Sequence, residues 1–496
     1  MTKGSSINTL KASLPRGLRD VRNTELSLIK GLTSKIIPIY ESYGFEELST
    51  PSFEYTSALG KFLPDADRPN AGVFSFQDDD EQWLSLRYDL TSPLARYVAE
   101  NFDKITKPYK RYQLGNVWRN EKPGPGRYRE FLQLDADIIG SNSYGVDAEL
   151  IMLSADSLSA LGLNDQNYNI RVSSRKLLDA ILELVSESED IDEVRRLTIL
   201  RAIDKLDRVG IDGVQRLLSE GRKDESGDYT KGAGLEKSSI SQILSFLESG
   251  IESKSLSRDT CLKNLSNQFG SNIIFNKAIE ELSEISNIIN AAGYDEKKII
   301  IDPSVVRGLG YYTGPVYEAD LTFNMETDQG LEKFGSIGGG GRYDDLVARL
   351  KGARVPSTGI SVGVSRLGSA LKYLNKSSIN NESLSVVVLV MDKDKRSDYY
   401  KIASSLRNEG ISSECYTGDG GMKAQLKYAD KRNARLAIII GEDEVASNSV
   451  TIKDLFVGME VSDKISDNKE WRSGKDSQKN VPINELVETI KSILSK

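Results

Sequence analysis

The 496-residue chain contains no histidine. That absence removes the Ser-His-Asp triad, the imidazole general base, the HExxH site and every imidazole metal ligand. Its two cysteines, Cys261 and Cys415, cannot build a disulfide framework or a four-ligand zinc site. So few thiols fit a reducing cytoplasm. No run of eighteen apolar residues occurs, which excludes a membrane-spanning helix. The opening MTKGSSINTLKASLPRG lacks the apolar core of a secretory signal. The phosphate-loop pattern GxxxxGK[ST] is missing as well. Nor is there an excess of basic charge. The formal net charge is −8, so any nucleic-acid surface must be local.

What is present is ordinary in bulk: 39 % hydrophobic and 28 % charged residues, as in soluble globular proteins. The length implies two to four domains. One stretch organises the rest, from Lys104 to Gly140. It reads as two strands joined by a loop that Pro123, Gly124, Pro125 and Gly126 keep irregular. In the second strand Arg127, Arg129, Phe131, Gln133, Asp135 and Asp137 point one way, while Leu132, Leu134, Ala136 and Ile138 point the other. The first strand sets Arg111, Gln113 and Arg119 against Tyr112, Leu114 and Trp118. An amide, an aromatic ring, paired carboxylates and several arginines on one face suit the floor of a site for a ligand carrying phosphate and amino groups.

Upstream, a helix is expected from about Thr24 to Tyr43, capped by Asn23. Leu26, Ile29, Leu32, Ile36 and Tyr40 form its stripe, Pro38 predicts a kink or an early end, and Gly44 stops it. A strand, Phe45 to Thr50, follows. Asp89 and Thr91 lie two apart on what reads as an extended segment, so both can face one ligand. A carboxylate and a hydroxyl offer what an ammonium group needs. Between Gly140 and Ile300 the chain turns helical, with helices at about 149–161, 175–189, 193–205, 241–248 and 274–292. The glycine-rich stretch 221–234 reads as a surface loop. Gly338 to Gly341 let the backbone approach a ligand closely. Arg366 opens a helix after a strand. Residues 375–383 have linker composition. Beyond them, strands at 384–391, 412–416 and 435–441 alternate with helices at about 396–408 and 421–432, and a helix at 483–494 closes a small α/β domain. Asp467 to Asn480 reads as a surface loop or insertion.

These segments carry a resemblance. Arg119-Asn120-Glu121, a loop, and Gly126-Arg127-Tyr128-Arg129-Glu130-Phe131 resemble motif 2 of class II aminoacyl-tRNA synthetases. Leu132 to Asp137 narrows the likeness toward histidyl-tRNA synthetases of class IIa. The helix and strand of 24–51 resemble motif 1, and Thr358 to Leu367 resembles motif 3. Arg307-Gly308-Leu309-Gly310-Tyr311-Tyr312-Thr313 through Glu318 is similar to one histidine motif of that family. Phe334 to Leu346 is similar to the other. The chain departs from the pattern at Asp89 (commonly Glu), Leu132 (often His), Gly310 (usually acidic) and Ser365 (often Glu). The loop from Glu121 to Arg127 resembles the alphaproteobacterial variety.

The resemblance implies an α+β fold: a class II catalytic domain on an antiparallel sheet, a helical insertion, and a C-terminal α/β anticodon-binding domain. The expected boundaries are 1–167 and 291–374 for the catalytic domain, 168–290 for the insertion and 384–496 for the last domain. It implies a cytoplasmic homodimer that uses ATP and Mg²⁺ to activate L-histidine and charge tRNA(His). The alternative is a histidine-binding regulatory subunit that does not aminoacylate. Arg119, Arg307 and Gln133 are the implied catalytic groups. Asp89, Leu90, Thr91, Arg119, Gln133, Asp137, Arg307, Tyr311 and Tyr312 would bind histidine. Arg119, Glu121, Arg127, Tyr128, Phe131 and Arg366 would bind ATP, and Glu121 would help hold Mg²⁺. In the last domain Lys423, Gln425 and Lys427 are expected RNA contacts.

Overall fold

The computed structural model of the protein describes residues 11–59, 72–123, 128–223, 229–253, 255–307, 312–327, 330–374, 384–456 and 478–495. Gly124 to Arg127, Gly308 to Tyr311, the 375–383 linker and most of 467–480 lie outside the described residues. The chain divides into two compact units, Met1–Ser378 and Ile379–Lys496.

The first unit is built on eight strands: β1 Glu46–Glu47, β2 Tyr109–Trp118, β3 Glu130–Ile139, β4 Tyr168–Ser174, β5 Ile299–Ile301, β6 Pro315–Thr327, β7 Gly330–Arg342 and β8 Ser357–Gly363. They form one sheet in the order β1-β2-β3-β8-β7-β6-β4-β5. The interior pairs are antiparallel. The two edge pairs, β1–β2 and β4–β5, are parallel, so the expected antiparallel sheet is corrected at both edges. Both edge pairs close over long crossovers, which parallel pairing requires.

Strand alternation separates two faces. Leu134, Ala136, Ile138, Ile170, Val172, Tyr317, Ala319, Ile360 and Val362 share one buried core with Ile36, Tyr40, Ile151, Leu282 and Leu367 of the covering helices. The first of those helices runs Asn23–Ser42 and buries Leu28, Leu32, Ile36 and Tyr40. Asn23 is its first residue rather than its cap, and the helix passes Pro38 without ending. Leu26, placed on the buried stripe by periodicity, is 44 % exposed.

The insertion expected at 168–290 cannot begin at residue 168, because Tyr168–Ser174 is β4, bonded to β6 on one side and β5 on the other. Helices Arg175–Ser186, Glu193–Ile203, Leu206–Leu218, Lys237–Ser253, Arg258–Phe269 and Ile273–Ala291 follow it. Two arms of the expected 221–234 loop, Gly221–Lys223 and Tyr229–Lys231, pair as a ribbon.

The second unit has a five-stranded sheet in which Ser413–Cys415, Val386–Val388 and Leu436–Ile439 are parallel neighbours. Ser449–Asp454 and Gln478–Pro482 extend it antiparallel. Residues 478–480 are therefore strand, not loop. Helices Arg396–Asn408 and Met422–Lys431 fall where they were expected. Gln425 does not face solvent: it is buried, donates from Nε2 to the Val390 and Gly420 carbonyls and accepts from the Val390 amide. Its expected RNA contact is replaced by this structural role.

Candidate functional site

The sheet face opposite the apolar core is polar across its width. One register row runs Gln113–Asp135–Ser361–Gly339–Glu318–Arg171, each residue opposite the next. The neighbouring row runs Arg111–Asp137–Gly359–Gly341–Val316–Ser173. A third begins Gly115–Gln133–Gly363. Alternation in β2 and β3 put these side chains on one face, but it did not show their burial. Arg111, Gln113, Asp135 and Asp137 are each at most 2 % exposed.

Glycines make room on this floor. A Cβ at Gly339 would strike the Arg307 guanidinium, and one at Gly359 would strike the Asp137 carboxylate. At Gly341 it would come within 3.1 Å of the Tyr312 ring. The glycine run therefore carries protein side chains on its site face.

The carboxylates differ in their partners. Asp137 accepts the Tyr343 hydroxyl and lies 2.8 Å from Arg111 Nη2. Burial raises its pKa, opposed by Arg111 and the Tyr343 hydrogen bond. Among the described residues no donor meets either Asp135 oxygen or Gln133 Oε1 in good hydrogen-bond geometry, although Ser361 lies near enough to Asp135 to act on its charge. Burial pushes the Asp135 carboxyl up to about 8, against the pull of Arg111 and Ser361 and with help from Asp137 and Asp89. Asp135 escaped the list of expected ligand groups although the same alternation placed it between Gln133 and Asp137.

At the strand ends, the Arg119 guanidinium lies 4.4 Å from the Tyr88 ring centre and 5.1 Å from that of Phe131. Its Nε donates to the Tyr88 carbonyl at 3.4 Å. Glu121 is exposed and accepts from the Tyr88 hydroxyl at 3.4 Å. Tyr128 is exposed toward solvent on one side and covered by the Arg19 guanidinium, 3.9 Å from its ring centre. Arg366 donates to the Phe334 carbonyl at 2.6 Å and lies over that ring. Its side chain starts 3.7 Å from the Cβ position of Gly363, the register partner of Gln133. Arg119, Arg307 and Arg366 thus border one polar face.

Asp89 and Thr91 are not on an extended segment. Thr91 begins the helix Thr91–Asn101, and Asp89 accepts from the Ser92 amide at 2.8 Å and its hydroxyl at 3.3 Å. Leu90 has a fully buried side chain, and its carbonyl accepts from Arg111. What Leu90 can offer a ligand is therefore its backbone. Arg127 and Tyr311 lie outside the described residues.

A second group of charges continues the first row. Arg171 is within ion-pair distance of Asp207 (2.7 Å), Glu318 (2.8 Å), Asp302 (3.3 Å) and Asp320 (2.6 Å). Glu318 also pairs with Arg307, which donates further to Ser336. Burial alone would raise the Glu318 carboxyl; Arg307 and Arg171 together hold it below the usual range. An open cavity of about 280 Å³ is lined by Asp204, Leu206 and Asp207 together with Arg307, Tyr312 and Glu318.

Residues 17–367 match the family model described as Histidyl-tRNA synthetase, and residues 385–493 match Anticodon binding domain. The chain is 52 % identical over 487 residues to the histidine–tRNA ligase of Bartonella bacilliformis, covering 98 % of this chain and 97 % of that one. It is 49 % identical over 488 residues to the histidine–tRNA ligase of Brucella ovis, covering 98 % and 96 %. Among solved structures, the histidyl-tRNA synthetase of Nostoc sp. PCC 7120 superposes with a TM-score of 0.71 at 28 % identity, covering 98 % of this chain and 100 % of that one.

Proposed function

The chain belongs to the histidyl-tRNA synthetase family, and from that premise we propose how its own side chains carry the reaction. It is a histidine–tRNA ligase. The histidine carboxylate attacks the α-phosphate of ATP, pyrophosphate leaves, and the aminoacyl group of the adenylate passes to the 3′ end of tRNA(His).

The observation that carries the assignment is the set of three arginines bordering one buried polar floor. Arg119, held between Tyr88 and Phe131, faces the carboxylate and α-phosphate. Arg307, seated over Gly339, meets the same charge from the far side. Cations fixed before the reaction stabilise charge that grows in the transition state. Arg366 and Arg127 hold the outer phosphates, and Phe131 and Tyr128 lie beside the adenine. Gln133, Asp89, Thr91 and the Leu90 backbone surround the α-ammonium, with Asp135 as an added buried acceptor beside Gln133. Asp137, Tyr311 and Tyr312 grip the imidazole. A ring without its N–H would leave these acceptors unpaired, which penalises isosteres.

Mg²⁺ fits this site only as a partner of ATP. Among the described residues no group of three acidic or thiol side chains could hold a metal. Glu121, exposed beside Tyr88, would complete a shell made chiefly of phosphate oxygens and water. When bound, the ion neutralises phosphate charge. The chain works as a cytoplasmic homodimer, in line with the likeness of its 24–51 segment to motif 1. A helical insertion between about 175 and 291 is in keeping with β4 and β5 lying in the sheet.

Histidine-dependent exchange of pyrophosphate into ATP, followed by charging of tRNA(His), tests the reading. Activity expected of the wild type and lost in Arg119→Ala and Arg307→Ala supports it. Full exchange in both variants overturns the residue roles. A chain that binds histidine without exchange would be the regulatory subunit instead.

A further inference from the structure

Arg307 does not stand on its own loop alone. It pairs with Glu318, and the other Glu318 oxygen pairs with Arg171 at 2.8 Å. One carboxylate is therefore shared by two guanidinium groups. The Arg171 nitrogen that meets Glu318, Nη2, also meets Asp207 at 2.7 Å. Asp207 belongs to neither the sheet nor the motif loops. It lies in the first turn of helix Leu206–Leu218. From the short connection between that helix and Glu193–Ile203, Asp204 reaches the cavity that Arg307 lines. Its pKa is raised by burial, and Arg307 is the largest charge opposing that rise.

Charge balance does not require Asp207. Arg171 already meets Asp302, Glu318 and Asp320, so three carboxylates face one guanidinium before Asp207 is counted. Asp207 is also 65 % exposed at its side chain. An exposed partner of an already neutralised cation adds little stability. It does add direction: by holding Nη2 from outside the sheet, Asp207 fixes how far Arg171 leans toward Glu318. That in turn fixes how Glu318 divides between Arg171 and Arg307. Members of a buried polar network are coupled, so a change at one is felt by the others.

We propose that Asp207, with Asp204 beside it, is a positioning residue through which the seat of the 193–218 helices sets the Arg307 guanidinium for the amino-acid carboxylate. The proposal rests on the ligase reading above, because Arg307 has a carboxylate to meet only if histidine binds there. It deepens that reading: a helical turn outside the sheet sets the cation whose resident partner is a carboxylate, so the amino acid feels a change there more than ATP, whose outer phosphates are held by other arginines. When the substrate carboxylate arrives, it competes with Glu318 for Arg307, and Arg171 takes up the share of Glu318 that is released. Asp207 keeps Arg171 in reach of that exchange.

The test is pyrophosphate exchange by the full chain, with histidine and ATP varied separately, for wild type, Asp207→Asn, Asp207→Glu and Asp212→Asn. Asp212 is exposed on the same helical segment and does not line the cavity. Asp207→Asn is expected to raise the KM for histidine at least fivefold and to leave the KM for ATP within twofold. The Glu variant should recover most of the loss, and Asp212→Asn should match wild type. A histidine KM within twofold of wild type in Asp207→Asn overturns the proposal. So does an equal rise in both KM values with a lowered melting temperature, which marks a merely structural residue. Absence of exchange in the wild type strikes the ligase reading itself, and is distinguished from both by that control.

Discussion

Arg111 and Asp137 face each other from adjacent strands, 2.8 Å apart, with side chains 0 % and 3 % exposed. The remaining Asp137 oxygen accepts from Tyr343. A residue implied to read a ligand ring is therefore also the counter-ion of a buried arginine. Its two roles can be separated. Asp137→Ala strands the Arg111 charge, and removing one member of a buried pair costs about 3–5 kcal/mol. Tyr343→Phe removes one hydrogen bond and keeps the pair, a loss of about 1–3 kcal/mol if the acceptor is left unsatisfied. Urea melts should rank the two in that order. Equal losses would show that the ion pair contributes nothing beyond the phenol contact.

Asp135 gives a pH signature. Its folded pKa is pushed up to about 8, against about 3.9 for an unfolded aspartate. Between those values the folded chain keeps a proton that the unfolded chain has released. Stability from this group is therefore full below pH 4 and falls as pH rises through 8. Asp135→Asn should remove the slope. Thermal melts at pH 5 and 8 should show a smaller drop in the variant than in wild type; parallel drops would contradict the shift.

The motif strands were legible because their alternation is clean: Leu132 to Ile138 needed only period two to sort core from floor. Strand β4 was not. In Tyr168-Asn-Ile-Arg171-Val-Ser173-Ser174 the polar members look like a solvent face, and the segment was assigned to the insertion. Arg171 and Ser173 face the floor instead, where Arg171 is neutralised by carboxylates from four other positions. Long-range charge pairing leaves no trace in a local window. The helix Leu206–Leu218 was missed for a different reason: Gly210 and Gly213 break its helical pattern, and the chain does kink at Gly210, with φ of 68°. Arg258–Phe269 looks too polar for a packed helix. Its burial rests on Cys261, Leu262 and Leu265 together with Arg258, which donates to the Ile299 carbonyl at 2.7 Å.

Gln425 illustrates the same limit in the second unit and supports a prediction. Its amide satisfies both the N–H and the C=O of Val390, each at 2.8 Å. Gln425→Ala leaves those buried groups unpaired, about 1–3 kcal/mol each at most. Melting of the second unit should shift down, and tRNA affinity should fall only in proportion to unfolding. A loss of affinity with unchanged melting would restore Gln425 as an RNA contact.

The glycine run of β7 separates activity from stability within two neighbouring residues. At Gly339 an added Cβ meets the Arg307 guanidinium, the far end of a flexible side chain; at Gly340 it meets the Gly359 backbone, which cannot swing aside. Gly339→Ala should therefore fold and displace Arg307, while Gly340→Ala should force β7 and β8 apart. A fixed electrostatic group in an active site is worth about 10²–10³ in rate, so Gly339→Ala should lose exchange activity on that scale with a melting temperature within a few degrees of wild type. Gly340→Ala should melt far lower, since forcing extra atoms into a packed region costs about 1–3 kcal/mol or more. If Gly339→Ala keeps full exchange activity, Arg307 does not act from its place above that glycine.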